Sequence, residues 1–247
     1  MLLHGLSGSA DLTWTPSYWE LSRRFSVVAL DLRGHGRGIP HGGGIYRLED
    51  CADDVAALVR TLRLGPAIVV GYSMGGAVAQ LVWQRHPDVV AGLVLCSTAA
   101  DFRLSSHERL MVAAALTTGA FLRSVPPLFR LGFDTASSLL VGHLDDPTRD
   151  WARGEFGHCG FDTALAAAMA VAGFTSRPWI TDIDVPSAVV LTTQDRVVPP
   201  SRQRELAELI NRSVVHEVDA GHGACLSAVD RFLPAFLAAC RHVAAAG

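Results

Sequence analysis

The sequence predicts an α/β fold, a mostly parallel central sheet flanked by helices with a helical insertion near its middle. Three observations carry this. Short β-branched runs alternate with helical patterns along most of the chain. Several of those runs are apolar at successive positions, as strands covered on both faces must be. The alternation is broken only from about Asp101 to Pro178, where helical runs follow one another with no strand between them.

The first long β-branched run is "FSVVALD" (Phe25 to Asp31), read as a strand. Leu48, Cys51, Val55, Leu58, Val59 and Leu62 then recur at the three-four spacing of one buried helix face. "AIVVG" (Ala67 to Gly71) is the next strand, and "AVAQLVWQRHP" (Ala77 to Pro87) a helix stopped by its proline. "VVAGLVLC" (Val89 to Cys96) follows as a strand. In the insertion, "ALAAAMAVAG" (Ala164 to Gly173) is helical, and prolines stand at 126, 127 and 147. "SAVVLTT" (Ser187 to Thr193) and "SVVHEVD" (Ser213 to Asp219) read as strands around a helix in "PPSRQRELAELI" (Pro199 to Ile210), whose prolines suit a first turn. A helix from about Ala228 to Ala244 closes the chain. This divides the chain into a core, 1–100 and 179–247, and an insertion, 101–178. The insertion belongs at the end of the sheet where ligands bind in open α/β folds.

Composition narrows the function classes. Of the 247 residues, 49% are hydrophobic and 18% charged, a globular balance that excludes disorder. The formal net charge of −3 offers no basic field for nucleic acid. The five cysteines are scattered without a C-x-x-C pair, the pattern of reduced thiols rather than a disulfide framework. No apolar run reaches the length of a membrane span, and no basic leader with a long apolar stretch is visible. A cytoplasmic location is therefore expected.

The chemistry centres on Gly71-Tyr72-Ser73-Met74-Gly75-Gly76, a match to G-x-S-x-G. A strand runs into it and a helix runs out of it. So tight a turn strains the middle residue, and small glycines make room for it. The Ser73 hydroxyl is then presented at the end of the sheet. The Met74 N–H, at a helix N-terminus, can face a developing oxyanion. A serine alcohol needs a base. "VDAGHGA" supplies His222 on a glycine-flanked loop after a strand, and "LTTQDRVVPP" supplies Asp195 just past another. The order Ser73, Asp195, His222 is that expected for this turn and not that of other serine hydrolases. Tyr72 and the Met74 side chain are expected to contact substrate.

Other candidates compete. Asp101 follows the strand ending at Cys96 and is an alternative orienting acid, ranked behind Asp195 because "D-x-x-V-P" leads into a helix start. His35, in "DLRGHGRG", reads as a histidine that structures its loop. His86, His107, His216 and His242 read as bland. His158 and Cys159 stand together without further ligands at metal spacing. "HGGG" at His41 to Gly44 looks like a second oxyanion donor, but it follows "FSVVALD", the wrong strand. The better donor is the N–H of Leu6 in "LLHGLSG".

Together, "LLHGLSGSADLTW", "VVALDLRGHGRG", "LEDCADDVAALV", "VVGYSMGGAVAQLVWQRHPDVVAGLVLCSTAA", "TTQDRVVPP" and "AGHGA" resemble the α/β-hydrolase superfamily, in its order and over nearly the whole chain except the insertion. The run from Gly71 to Ala100 is especially similar to esterases, enol-lactonases and serine C–C hydrolases. The resemblance implies a serine esterase acting on a small or medium carboxylic ester through an acyl-enzyme, with no metal or organic cofactor. It also implies that the insertion is a helical cap roofing the site. A lactonase or C–C hydrolase would use the same triad, and a ligand-binding protein of this fold with weak catalysis is the alternative outside enzymes. One departure stands out. The family has two further strands before the His-Gly loop, where this sequence has only "MLL". The expectation is an exposed edge at "FSVVALD", with either an upstream segment missing from the sequence or a partner, such as a second copy of the chain, covering the edge.

Overall fold

A computed structural model describes residues 1–103 and 146–247. Six parallel strands form one sheet in the order β2-β1-β3-β4-β5-β6. They are β1 (Leu2–Leu3), β2 (Ala29–Leu30), β3 (Ala67–Tyr72), β4 (Val90–Cys96), β5 (Ser187–Thr192) and β6 (Val214–Val218). The helices are α1 (Ala10–Ser22), α2 (Leu48–Thr61), α3 (Met74–Arg85), α4 (Asp146–Gly157), α5 (Phe161–Gly173), α6 (Pro200–Leu209), α7 (Ala224–Ser227) and α8 (Val229–Ala246). His107 and the prolines at 126 and 127 lie outside the described residues.

The unbroken apolar runs have a simple cause. Successive side chains of a strand point to opposite faces, and here both faces are covered. Val69, Leu93, Leu95, Val189 and Leu191 enter one buried cluster with α2, α3 and α6. Val70, Val94, Cys96, Ala188 and Val190 enter a second cluster with Trp14 of α1 and Phe232 and Phe236 of α8. All five cysteines are buried and none forms a disulfide.

The structure corrects three sequence readings. "FSVVALD" forms only a two-residue strand, because β1 offers it two partners: Leu2 pairs with Ala29 and Leu3 with Leu30. Beyond them a single bond from Leu2 N–H to the Val28 carbonyl continues the contact. Leu62, placed by periodicity on the buried face of α2, sits at its C-terminal cap and is exposed. Helix α1 was not anticipated at all. Ser9 caps it by accepting the Leu12 N–H.

Strand β2 is the sheet edge among the described residues. The ends of β1, β3, β5 and β6 lead into the loops that carry His4, Ser73, Asp195 and His222, so the fold gathers these four loops at one end of the sheet. No described helix is long and apolar enough to cross a membrane.

Candidate active site

Ser73 sits between β3 and α3 with φ 53° and ψ −115°, a conformation that L-residues rarely adopt. The strain is enforced by close packing. A Cβ on Gly71 would lie 2.2 Å from the Gly75 carbonyl oxygen, and one on Gly75 would lie 2.5 Å from that of Leu3. Only glycine fits at either place. The Ser73 N–H donates to the Cys96 carbonyl at 2.9 Å, and the Thr98 hydroxyl donates to the Ser73 carbonyl at 2.8 Å. The turn is thereby pinned to β4.

Asp195 and His222 complete a line with the serine. His222 Nε2 is 2.9 Å from Ser73 Oγ, and Nδ1 is 2.7 Å from Asp195 Oδ2. With the Nδ1 proton donated to the carboxylate, Nε2 is left to accept from the serine hydroxyl. The Asp195 carboxylate is buried and heavily bonded. It accepts from Thr192 Oγ1 at 2.9 Å, Gln203 Nε2 at 3.1 Å and the N–H groups of Val197 and Val198 at 2.8 and 2.9 Å. Burial alone would raise its pKa. The bond to His222 and the two N–H groups outweigh burial and hold the carboxyl below its ordinary range.

Gln203 was not foreseen. It is buried in α6 and ties three pieces together: its amide oxygen accepts the Thr192 N–H at 3.0 Å, and its amide nitrogen reaches Asp195 and the Val198 carbonyl. A glutamine inside an amphipathic helix carries no sequence signature of this role. Thr192, one of the two threonines before Asp195, was equally unmarked.

The loop after β1 passes against the nucleophile. A Cβ on Gly5 would be 3.5 Å from Ser73 Cβ. The N–H groups of Leu6 and Met74 make no backbone hydrogen bond to the described residues. His4, just before them, is fully buried and acts as a brace. Its Nδ1 is 2.7 Å from the Gly5 carbonyl, and its Nε2 accepts the Leu32 N–H at 3.0 Å. Burial, with the neighbouring His35 imidazole, pushes its pKa from the ordinary 6.5 down to about 4, so the ring is neutral.

Ser73 and His222 open into a cavity of about 330 Å³. Its walls are apolar: Leu6, Leu12, Met74, Phe156, Val171 and Leu226 contribute, and no Asp, Glu, Lys or Arg lines it among the described residues. Phe156 comes from α4 and Val171 from α5, both within the sequence-expected insertion. Tyr72 lines the cavity too, while its hydroxyl donates to the His222 carbonyl.

The competing candidates are placed elsewhere. Asp101 is engaged by the guanidinium groups of Arg103 and Arg177. His41 to Gly44 line a separate cavity with His35, His158 and Asp162, which contains none of Ser73, Asp195 and His222. No cluster of three or more potential metal ligands occurs among the described residues.

Residues 1–235 match the model of the alpha/beta hydrolase family. The chain is 32% identical to a pimeloyl-(acyl-carrier protein) methyl ester esterase of Neisseria meningitidis serogroup C, covering 86% of this chain and 82% of that protein. It is also 32% identical to a non-heme chloroperoxidase of Streptomyces lividans, covering 79% of this chain and 74% of that protein. Among solved structures, the enol-lactonase of Burkholderia xenovorans LB400 superposes with a TM-score of 0.70 at 26% identity, covering 96% of this chain and 90% of that one. These matches establish the family, and the differing activities of the relatives show that the family alone does not specify a substrate.

Proposed function

We propose that this chain, a member of the alpha/beta hydrolase family, is a serine hydrolase that cleaves small or medium carboxylic esters through an acyl-enzyme. The observation that carries the reading is the unbroken line Asp195–His222–Ser73, with contacts of 2.7 and 2.9 Å, opening into the apolar cavity. Ser73 Oγ attacks the ester carbonyl carbon while His222 Nε2 takes its proton. The oxygen of the tetrahedral intermediate gains negative charge and faces the N–H groups of Leu6 and Met74. Collapse breaks the ester C–O bond, and His222 protonates the departing alcohol. Water, deprotonated by His222, then attacks the acyl-serine, and the acid leaves with Ser73 restored. Asp195 fixes the imidazole tautomer and stabilises its cation.

An apolar wall with no charged side chain among the described residues favours a neutral substrate with a hydrocarbon acyl or alcohol group. The esterase relative supports the ester reading. In this reading residues 101–178 form a cap, and α4 and α5 supply its wall of the cavity. No metal or organic cofactor enters any step. A panel of p-nitrophenyl esters of graded acyl length, with neutral lactones alongside, tests the proposal. Ester turnover that is lost in Ser73→Ala supports it. Turnover of lactones with none of the esters would replace ester by lactone. Inertness of the folded protein toward both classes and toward a fluorophosphonate would overturn it.

A further inference from the structure

Tyr72 immediately precedes the nucleophile in sequence, yet its side chain is committed to the base. Its hydroxyl donates to the His222 carbonyl at 2.5 Å. Its ring stands edge-on to the His222 imidazole, with centroids 5.9 Å apart. Trp14 and Phe232 hold the same ring at centroid distances of 6.0 and 5.8 Å. The His222 loop needs such a support. Between the end of β6 at Val218 and the start of α7 at Ala224 it has no regular structure and carries two glycines. No backbone N–H of the described residues reaches the His222 carbonyl. Without the phenol, a part-buried acceptor next to the base would be left unsatisfied.

One side chain, next to Ser73 in sequence, thus reaches the His222 backbone directly. Burial pushes the phenol pKa well above its ordinary value, so it remains a donor at any working pH.

We propose that Tyr72 is a positioning residue whose hydroxyl holds the His222 backbone in register with Ser73, so that nucleophile and base move as one body. The proposal rests on the serine hydrolase reading above. It gives Tyr72 a different task from the substrate contact expected from sequence.

The test separates the hydroxyl from the ring. Wild type is first labelled with a fluorophosphonate. If the folded protein does not label, the serine hydrolase reading fails and this proposal with it. If it labels, Tyr72→Phe decides. The expected result is a fall of roughly 10- to 100-fold in both kcat and labelling rate, with KM within about twofold of wild type. The downfield proton resonance of the His222–Asp195 bond should shift or broaden as well. Val59→Ala, a truncation in the other buried cluster on α2, should lower the melting temperature and leave kcat unchanged, which separates general destabilisation from loss of the hydroxyl. Should Tyr72→Phe fold poorly, the His222 carbonyl of wild type carrying 13C-labelled histidine supplies a second reading, with the downfield carbonyl shift of a strong hydrogen bond expected. Wild-type kcat and labelling in a folded Tyr72→Phe, or the carbonyl shift of an unbonded His222 where that measurement has to decide, would overturn the proposal. So would a raised KM at constant kcat, which would make Tyr72 a substrate contact.

Discussion

The two halves of the sheet hold their parts of the site by different means. In the β3–β6 half, strands of five to seven residues form continuous ladders, and Ser73, Asp195 and His222 hang from their ends. In the β1–β2 half, each strand has two residues. There the loop bearing Leu6 is held by side chains instead. His4 accepts the Leu32 N–H. Asp31 accepts the N–H groups of Ala10 and Arg37 at 2.6 and 2.7 Å. Glu155 of α4 accepts from the Ser9 hydroxyl and pairs with the Arg37 guanidinium at 2.7 Å. Where the ladder is short, polar side chains do what backbone pairing does elsewhere, and they are more exposed to pH and substitution.

The largest effect should come from the laddered half. Asp195→Asn is expected to lower kcat roughly 10⁴-fold, because the amide oxygen stays with the Val197 and Val198 N–H groups, the amide NH2 then faces Nδ1, and the imidazole tautomer is lost. Asp101→Asn should leave kcat within about twofold, since that carboxylate faces Arg103 and Arg177. Steady-state kinetics of the pair would break the assignment if the results were reversed.

Core truncation sharpens the contrast in stability. Leu95 is fully buried in the middle of the sheet, and Leu95→Ala should cost about 2–5 kcal/mol in urea unfolding. Leu30 on β2 is only half-buried, and Leu30→Ala should cost about 1 kcal/mol. Equal losses would mean that the two-residue strands carry as much of the fold as the long ones.

The braced half should also respond to acid. His4 binds its proton at about 4 when folded, against an ordinary 6.5. Between those values the unfolded chain holds more protons, so stability falls as pH drops from 6.5 toward 4 and is fully present above 6.5. The melting temperature should decline through that window in wild type and less steeply in His4→Asn. Identical slopes would show that His4 does not govern the acid response.

A further substitution in the braced half is Glu155→Gln. It weakens the grip on Ser9 and Arg37 and should lower stability by about 1–3 kcal/mol. A modest rise in KM should follow, because the next residue, Phe156, forms part of the cavity wall. An unchanged melting curve would remove Glu155 from the brace.

Legibility in the sequence followed the same division. β3, β4 and β5 were readable because strands covered on both faces must be apolar at successive positions, as in "LVLC" and "AVVL", whereas β6, "VVHEV", was readable from its β-branched residues alone. Ser73 was readable because its turn demands Gly71 and Gly75 in sequence as well as in space. "FSVVALD" misled because its composition favours a strand, whereas its pairing depends on what β1 offers. Helix α1 was hidden by Pro16 and by apolar residues without helical period, although Ser9 and Asp11 mark its start. Gln203 and Glu155 could not be read at all. Each matters through partners 5 to 146 residues away in sequence, and no local pattern announces those contacts.

The proposed mechanism passes through a covalent acyl–Ser73 intermediate. The most direct measurement is rapid quench of the protein with p-nitrophenyl butyrate, followed by mass analysis of its peptides. The prediction is a burst of p-nitrophenol accompanied by a butyryl group on the peptide that contains Ser73, with both absent in Ser73→Ala. Hydrolysis that persists in Ser73→Ala, or a butyryl group carried by a different residue, would contradict it.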